Sequence, residues 1–288
     1  MTEQVLISIT LLLAIFIVRL IYGYRQRQQE KQQIKLGLIL LGHIQHVIEL
    51  IQKHRGLSNA MYLSGDQFDK QLPDIQNQLD VLNMQGQSHA LYPFEQWQSF
   101  VEHWPRLRAA TKEVRLTATQ SMRQHNAMIG TQLYLIDEVG HFYGLHKIKL
   151  DRMKHMLGLC LDTLRTAESI AKARGIGTGL CGEHGQYRAD VITLSFIKED
   201  LAVSSDNLFE ELLLVDNKEL NSYFEQSSKR IGESIKALIN MIDEKVLNPK
   251  QAVDTQVYFK LATVPITQLS DVFQTIIKHV ANQYEIKS

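Results

Sequence analysis

The chain contains few of the residues that stabilise small cross-linked proteins. Only two cysteines, Cys160 and Cys181, occur among 288 residues. This number excludes a disulfide framework and suits a reducing compartment, although it leaves one bridge open. Lysine plus arginine and aspartate plus glutamate are equal at 31 each, so the formal net charge is +0. Because no excess of positive charge is available to bind a phosphate backbone, we expect no nucleic-acid partner.

Proline and strand-like patterns are also scarce. None of the five prolines lies between Pro105 and Pro249, and no run of alternating β-branched residues is bounded by turns. Apolar residues instead recur every three or four positions, as in the stripe Ile34, Leu38, Leu41, Ile44, Ile48 and Ile51. The pattern predicts an all-α fold of long helices packed as antiparallel bundles. The expected helices are 25–63, 73–84, 93–112, 115–147, 150–180, 187–216, 218–246 and 250–285, with turns at Ser64-Gly65-Asp66, Asn83 to Ser88, Gly182 to Gln186 and Asn248-Pro249.

The first residues form the most apolar stretch of the chain. Val5 to Val18 is apolar except for one serine and one threonine, and with the residues that follow it reaches the length of a spanning helix. No basic region precedes it and no small-x-small cleavage site follows it, so we expect an uncleaved anchor rather than a signal peptide. The basic residues at and after its end are Arg19, Arg25, Arg27, Lys31 and Lys35. Positive charge stays on the cytoplasmic side, which predicts a cytoplasmic C-terminal part. The predicted divisions are an anchor, 1–24, a helical juxtamembrane linker, 25–39, and an all-helical domain, 40–288.

Few short motifs point to catalysis or metal binding. Cys181 and His184 have a spacing that zinc ligands use, but no second pair accompanies them. Ser195 to Lys198 and Ser205 to Asn207 match two motifs of serine β-lactamases without the Lys-Thr-Gly element, and we interpret both as chance. The glycine-rich segment 175–185 lacks the strand and the Gly-Lys-Ser/Thr of a phosphate loop, so it predicts close helix packing followed by a turn. We therefore expect no enzymatic activity, no metal and no cofactor.

One short basic motif occurs twice and offers the best candidate for a binding site. The order Lys-x-Arg-Gly followed by a branched aliphatic residue contains Arg55 in its first copy and Arg174 in its second. A guanidinium stays charged when partly buried and offers a planar fork of donors, so two such groups predict a clamp for one small planar anion. The alternative is that both arginines belong to ordinary amphipathic helices, where they reach water or pair with a carboxylate.

Several segments, taken in order, resemble the nitrate- and nitrite-sensing domain, a bacterial all-helical sensory family. They are Gln52-Lys53-x-Arg55-Gly56-Leu57-Ser58, the Trp97 and Trp104 helix, Ser121-x-x-x-His125-x-x-x-Ile129, Ala173-Arg174-Gly175-Ile176-Gly177-Thr178-Gly179 and Tyr258-Phe259-x-x-Ala262-Thr263. The resemblance spans most of residues 40–285. It implies two helical bundles that share long helices and bind nitrate or nitrite between them, with Arg55 and Arg174 as the anion-binding positions.

Other residues complete this hypothesis. The weaker candidates are Lys53, Lys172 and Lys260 for supporting charge and Thr263 for a hydroxyl contact. His125 suits either a buried hydrogen bond or a ligand contact. Where the family often has an acidic residue before the first arginine, this chain has His54, and Pro265 predicts a kink in the last helix.

The sequence thus predicts a sensor of nitrate or nitrite, anchored in a bacterial inner membrane by one helix. Members of the family usually carry an output module such as an RNA-binding antiterminator, a methyl-accepting region or a kinase. Here the last predicted helix ends close to the end of the sequence, so we expect an unidentified downstream signalling protein as partner. A homodimer is also expected if Gln26 to Gln33 forms a helix pair rather than a solvated spacer. The competing interpretation is a helical interaction protein that has lost ligand binding and keeps its arginines in salt bridges.

Overall fold

The chain folds into helices joined by short connections. The structure is a computed structural model, which describes residues 2–64, 71–84, 86–181, 188–248 and 253–284. In these ranges the α-helices are α1 (Thr2–Ser64), α2 (Leu72–Met84), α3 (Gly86–Leu91), α4 (Glu95–Lys112), α5 (Ala118–Phe142), α6 (Met156–Leu180), α7 (Arg188–Leu213), α8 (Asn221–Met241) and α9 (Thr255–Gln283). The described part contains no strand beyond one isolated bridge between Lys149 and His155. The predicted all-α fold is confirmed.

The helices form two antiparallel bundles that meet along two long helices. In the first, α1 packs against α2 and α5, and α4 packs against α5. In the second, α6 packs against α7 and α9, and α8 packs against both of these. The bundles are joined because α1 also lies against α6. The two arginine motifs are on these central helices, Arg55 on α1 and Arg174 on α6.

Local signals set several of the helix ends. Thr117 begins α5 with a capping box, in which its hydroxyl accepts from the Gln120 backbone and its own N–H binds the Gln120 side chain. Asp254 caps α9 through its carboxylate. The predicted helix 115–147 is wrong at its end, because Gly144 has a φ of 76°. Only glycine adopts this conformation easily, so α5 ends at Phe142 and a short connection leads to Met156.

Other connections differ in detail from the prediction. The segment predicted as a turn at Asn83 to Ser88 contains the start of the short helix α3, and α8 continues into a π-helical turn at Ile242–Val246. Helix α9 continues through Pro265, and a kink there stays a prediction. The turn at Gly182 to Gln186, with His184, lies outside the described residues, as do Gly65, Asp66 and Pro249.

Helix α1 has two unlike halves. From Ile34 onwards most of its apolar side chains are buried in the body of the protein, although Ile39 is exposed. Between Leu11 and Tyr24, by contrast, its large apolar side chains are 46–68% exposed. Within the described residues, α1 is the one helix long and apolar enough to cross a membrane. A continuous exposed apolar surface of this kind is unusual for a helix in water.

Candidate anion site

Small residues allow α6 to approach α9 and α1 closely. At Gly177 a Cβ atom would overlap the phenol of Tyr258 on α9, and at Gly179 a Cβ would stand 2.8 Å from Nδ2 of Asn59 on α1. The space left open at Gly177 lets the Tyr258 hydroxyl donate a 2.8 Å hydrogen bond to the Ala173 carbonyl. The interpretation of these glycines as packing residues is therefore confirmed. Their close contacts fix the second arginine motif between three helices.

Arg55 is buried and bound to a carboxylate that the sequence analysis did not select. It is only 1% exposed, and its Nη1 and Nη2 donate to the two oxygens of Glu168 on α6 at 2.7 and 3.0 Å. Nη1 also donates to Oδ1 of Asn126 on α5 at 2.5 Å, and Gln52 donates to Glu168 at 3.0 Å. A charge-assisted fork of this kind is strong and directional. Nε of Arg55 is buried without a partner among the described residues.

Arg174 is equally buried, but fewer of its nitrogens have hydrogen-bond partners. It is 1% exposed, and its Nη1 donates to Oγ1 of Thr263 on α9 at 3.0 Å. Its guanidinium carbon lies 4.7 Å from the ring centre of Phe259, a cation–π contact. Nε and Nη2 have no hydrogen-bond partner in the described ranges. Burial, with a smaller contribution from the charge of Arg55, lowers the pKa of Arg174 to about 9. It is therefore still a cation at neutral pH.

The two arginines do not form the symmetrical clamp that the repeated motif predicts. Arg55 fits the alternative interpretation, an arginine paired with a carboxylate, since Glu168 binds its two terminal nitrogens. For Arg174 it does not hold, because this guanidinium makes no ion pair with any described carboxylate. The buried cluster of Arg55, Arg174 and Glu168 therefore carries one net positive charge. Uncompensated charge in a buried site is costly, and a bound anion would offset it.

Among the remaining candidates, only Thr263 joins this cluster. Lys53 and Lys260 are exposed, and Lys260 makes no hydrogen bond or ion pair with the described residues of the site. Lys172 reaches towards Glu168, with Nζ 3.9 Å from Oε1, but 40% of its side chain is exposed. An ammonium group on a long stem is readily hydrated, which favours these surface positions. The candidate anion site in the interior thus consists of guanidinium and hydroxyl donors.

A pair of buried histidines lies directly beside Arg55. Nδ1 of His54 is 2.7 Å from Nε2 of His125, and both side chains have 0% exposure. The Ser121 carbonyl lies 2.7 Å from Nδ1 of His125, so that nitrogen must carry a proton and Nε2 must accept. His54 then donates through Nδ1 and accepts from the Gln76 amide through Nε2, at 3.1 Å. The two rings therefore form a directed chain of hydrogen bonds between α2 and α5.

These histidines are neutral because of where they lie. Burial lowers the pKa of His54 well below its usual value, with a smaller effect from His125. Burial, with a smaller contribution from the positive charge of Arg55, lowers the pKa of His125 to about 3. The first of the two possibilities for His125, a buried hydrogen bond, is what the structure contains. A neutral pair at this position adds no further positive charge to the arginine cluster.

A cavity of about 300 Å³ is lined by residues of α1, α5, α6 and α7. Asn126, which accepts from Arg55, forms part of its wall together with Asn59 and Met122. Arg123 and Asp190 also line it. Asn126 therefore contacts both the cavity and the Arg55 guanidinium.

No candidate metal centre emerges from the described part of the chain. In it, no three His, Cys, Asp or Glu side chains come together as ligands would. Cys160 and Cys181 are free thiols, and burial raises the pKa of Cys181 to about 12. The partner that the sequence suggested for Cys181, His184, lies outside the described residues.

The comparisons with known proteins concern the fold. The sequence matches no protein-family model and no curated protein. The structure is similar to a solved structure described as "Structure of the NasR transcription antiterminator", with a TM-score of 0.70 and 14% sequence identity. The similarity covers 93% of this chain and 74% of that chain. At this identity it establishes the shared all-helical fold, and the predicted absence of a nucleic-acid partner gains no support from it.

Proposed function

We propose that this protein is a membrane-anchored sensor that binds a small oxyanion, nitrate or nitrite, at Arg174 and Arg55. The observation that carries the proposal is the state of Arg174. A fully buried guanidinium with two unpaired nitrogens and one net positive charge around it is a poor structural element but a good receptor for a small anion. Nitrate and nitrite are flat and match the plane of guanidinium donors.

Two likenesses support this choice of ligand. The arginine motifs and their neighbours resemble the nitrate- and nitrite-sensing family in order and spacing. The fold is similar to that of a transcription antiterminator, and an antiterminator is one of the output modules that this family carries.

The competing function is a helical interaction protein without a ligand. The ion pair between Arg55 and Glu168 favours it, because an arginine kept for stability should have a carboxylate partner. Arg174 argues against it. Burying Nε and Nη2 without hydrogen-bond partners lowers the stability of the fold. A protein without a ligand would gain nothing from this arrangement.

The position of the site explains how binding would produce a signal. Arg55 is on α1, Arg174 is on α6, and Thr263 is on α9. An anion held by donors from these helices binds best at one spacing between the two bundles. Binding therefore shifts the equilibrium between spacings by the difference in the affinity of each spacing for the anion. Helix α1 continues from the site to the exposed apolar stretch without a break. A movement at Arg55 is therefore transmitted along the helix to the membrane side.

The exposed apolar stretch of α1 is the proposed anchor. Side chains from Leu11 to Tyr24 would be covered by lipid, and the basic residues that follow would stay in the cytoplasm. With this orientation the anion site would be cytoplasmic. The sensor would then report the internal concentration of nitrate or nitrite to a second protein.

Ligand-specific stabilisation tests the proposal directly. Full-length protein in detergent is heated with nitrate, nitrite, chloride or sulfate, and calorimetry gives the affinity of any anion that raises the Tm. We expect nitrate or nitrite to stabilise by mass action, and Arg174→Lys to lose most of the effect because a single ammonium cannot replace the planar fork. Arg165→Lys is the matched control, since Arg165 is 61% exposed on the same helix. Equal Tm values in all four salts would refute anion sensing.

A further inference from the structure

We propose that Glu168 sets the valence of the ligand, so that the site accepts a singly charged anion and rejects a doubly charged one. This inference rests on the proposed function and adds to it a specificity-determining residue. Glu168 touches Arg55 and Gln52 and has 6% of its side chain exposed. It is the one described carboxylate that makes an ion pair with either buried arginine.

The cluster leaves three buried guanidinium nitrogens without a partner among the described residues. Glu168 uses both oxygens on Nη1 and Nη2 of Arg55, which leaves Nε as the one unpaired nitrogen of Arg55. Arg174 keeps Nε and Nη2 free of described partners. An anion at these nitrogens binds mainly to Arg174 and beside Arg55, without displacing Glu168. Carboxylate and ligand are then neighbours in one buried cluster.

Charge balance follows from this arrangement. Two guanidinium groups and one carboxylate leave a single positive charge, which one nitrate or nitrite ion neutralises. A sulfate ion would leave a net negative charge in the interior, where charge is poorly screened and desolvation is costly. The surrounding ions do not change this count, because Lys172 and Glu49 have opposite signs and both reach solvent, at 40% and 23% exposure. The cluster in the interior therefore selects for valence as well as shape.

Removing the charge of Glu168 while keeping its shape tests the inference. In Glu168→Gln the cluster gains a second uncompensated positive charge. We measure nitrate and sulfate affinities by calorimetry on the full chain in detergent. The ratio of nitrate to sulfate affinity should fall at least about tenfold relative to wild type, because a unit charge removed at hydrogen-bonding distance in a buried site is worth more than one decade of affinity. Asp162→Asn is the matched control, since it removes a carboxylate charge in the same way at a half-exposed position of α6 and should leave the ratio unchanged.

A second variant separates charge from fit and covers the case in which Glu168→Gln does not fold. Glu168→Asp keeps the charge on a shorter side chain, so it should retain the preference for nitrate even where both affinities drop. If Glu168→Gln keeps the wild-type ratio, or if Glu168→Asp loses the preference, valence selection by this carboxylate is refuted while anion sensing stands. If wild type binds neither nitrate nor nitrite, the proposed function itself falls, and this inference with it.

Discussion

Arg55 and Arg174 lie reciprocally across the contact between α1 and α6. Nε of Arg55 is 3.9 Å from the position that a Cβ atom at Gly175 would take, and Nε of Arg174 is 3.8 Å from the corresponding position at Gly56. Each arginine therefore lies beside the glycine that follows the other. This relationship gives a physical reason for the repeated Arg-Gly order, because a side chain at either glycine would fill the space next to a free donor.

Three glycines on α6 should respond differently to alanine. Gly175→Ala meets the flexible end of Met122 at 3.4 Å and Nε of Arg55 at 3.9 Å, so stability should stay within about 1 kcal/mol of wild type while the nitrate-induced rise in Tm shrinks. Gly177→Ala overlaps the Tyr258 phenol and should cost about 1–3 kcal/mol. Gly158→Ala enters open space and is the control. Thermal unfolding with and without nitrate measures all three, and an unchanged nitrate response in Gly175→Ala would place the anion elsewhere.

The two arginines should differ in what they contribute to stability. Arg55→Met leaves Glu168 buried without its ion pair and should destabilise the anion-free protein by about 3–5 kcal/mol. Arg174→Met removes a cation with two unpaired nitrogens and should cost at least about 2 kcal/mol less. Denaturant unfolding in buffer without oxyanions compares them. Equal losses would mean that Arg174 has a structural partner of its own.

Stability should fall as the pH falls from about 6.5 towards 4. Burial lowers the pKa of His43 to about 4 and that of His125 to about 3, and it also lowers the pKa of His54. The unfolded chain takes up these protons near pH 6.5 and the folded protein does not, so each histidine removes up to about 1.4 kcal/mol per pH unit within this window. Above pH 6.5 the contribution is fully present.

Substitution of one histidine isolates this effect. His125→Gln lowers overall stability because it interrupts the chain of hydrogen bonds, but it also removes one titrating group. Its stability should therefore depend less steeply on pH between 5 and 6.5, as measured by denaturant unfolding at several pH values. The exposed His89 provides the control, since His89→Gln should keep the wild-type slope. A variant slope as steep as that of wild type would assign the pH dependence to other groups.

Residues that act through local spacing were accessible from the sequence. The apolar stripe of α1 repeats every three or four positions, and the arginine motif can be recognised because it occurs twice. Gly144 was not recognised as a helix end, because a single glycine in a helical pattern is often tolerated and its positive φ follows from the surrounding packing.

Residues that act through long-range contacts were not accessible. Glu168 is one of 31 acidic residues and lies six positions before Arg174, a spacing that does not place two side chains on one helix face. Its partner, Arg55, is on another helix. His54 and His125 are likewise paired between α1 and α5. The resemblance pointed to the segments that contain both histidines but could not show that they share a hydrogen bond.

The apolar end of α1 should hold the protein in a membrane. Large side chains from Leu11 to Tyr24 are exposed, and water is a poor solvent for them. We expect the full chain to sediment with membranes and to resist extraction by alkaline carbonate. Leu13→Arg together with Ile17→Arg should release it, because charged side chains in the centre of a span oppose insertion. The exposed pair Val203→Arg and Leu214→Arg on the second bundle is a control that should leave the protein in the membrane. Release of the wild type by carbonate would contradict an integral anchor.

The same helix should insert with the helical bundles in the cytoplasm. Five basic residues occur at and after the end of the apolar run, whereas the segment before it has one acidic side chain and the amino terminus. Positive residues near a span resist transfer across the bacterial membrane, so the C-terminal side should stay inside.

A C-terminal green fluorescent protein fusion should then fluoresce and a C-terminal alkaline phosphatase fusion should be inactive. Replacing Arg25, Arg27 and Lys31 with glutamine should weaken this bias, which would appear as a rise in phosphatase activity. Strong phosphatase activity and no fluorescence in the wild type would place the anion site outside the cytoplasm, where external nitrate is the signal.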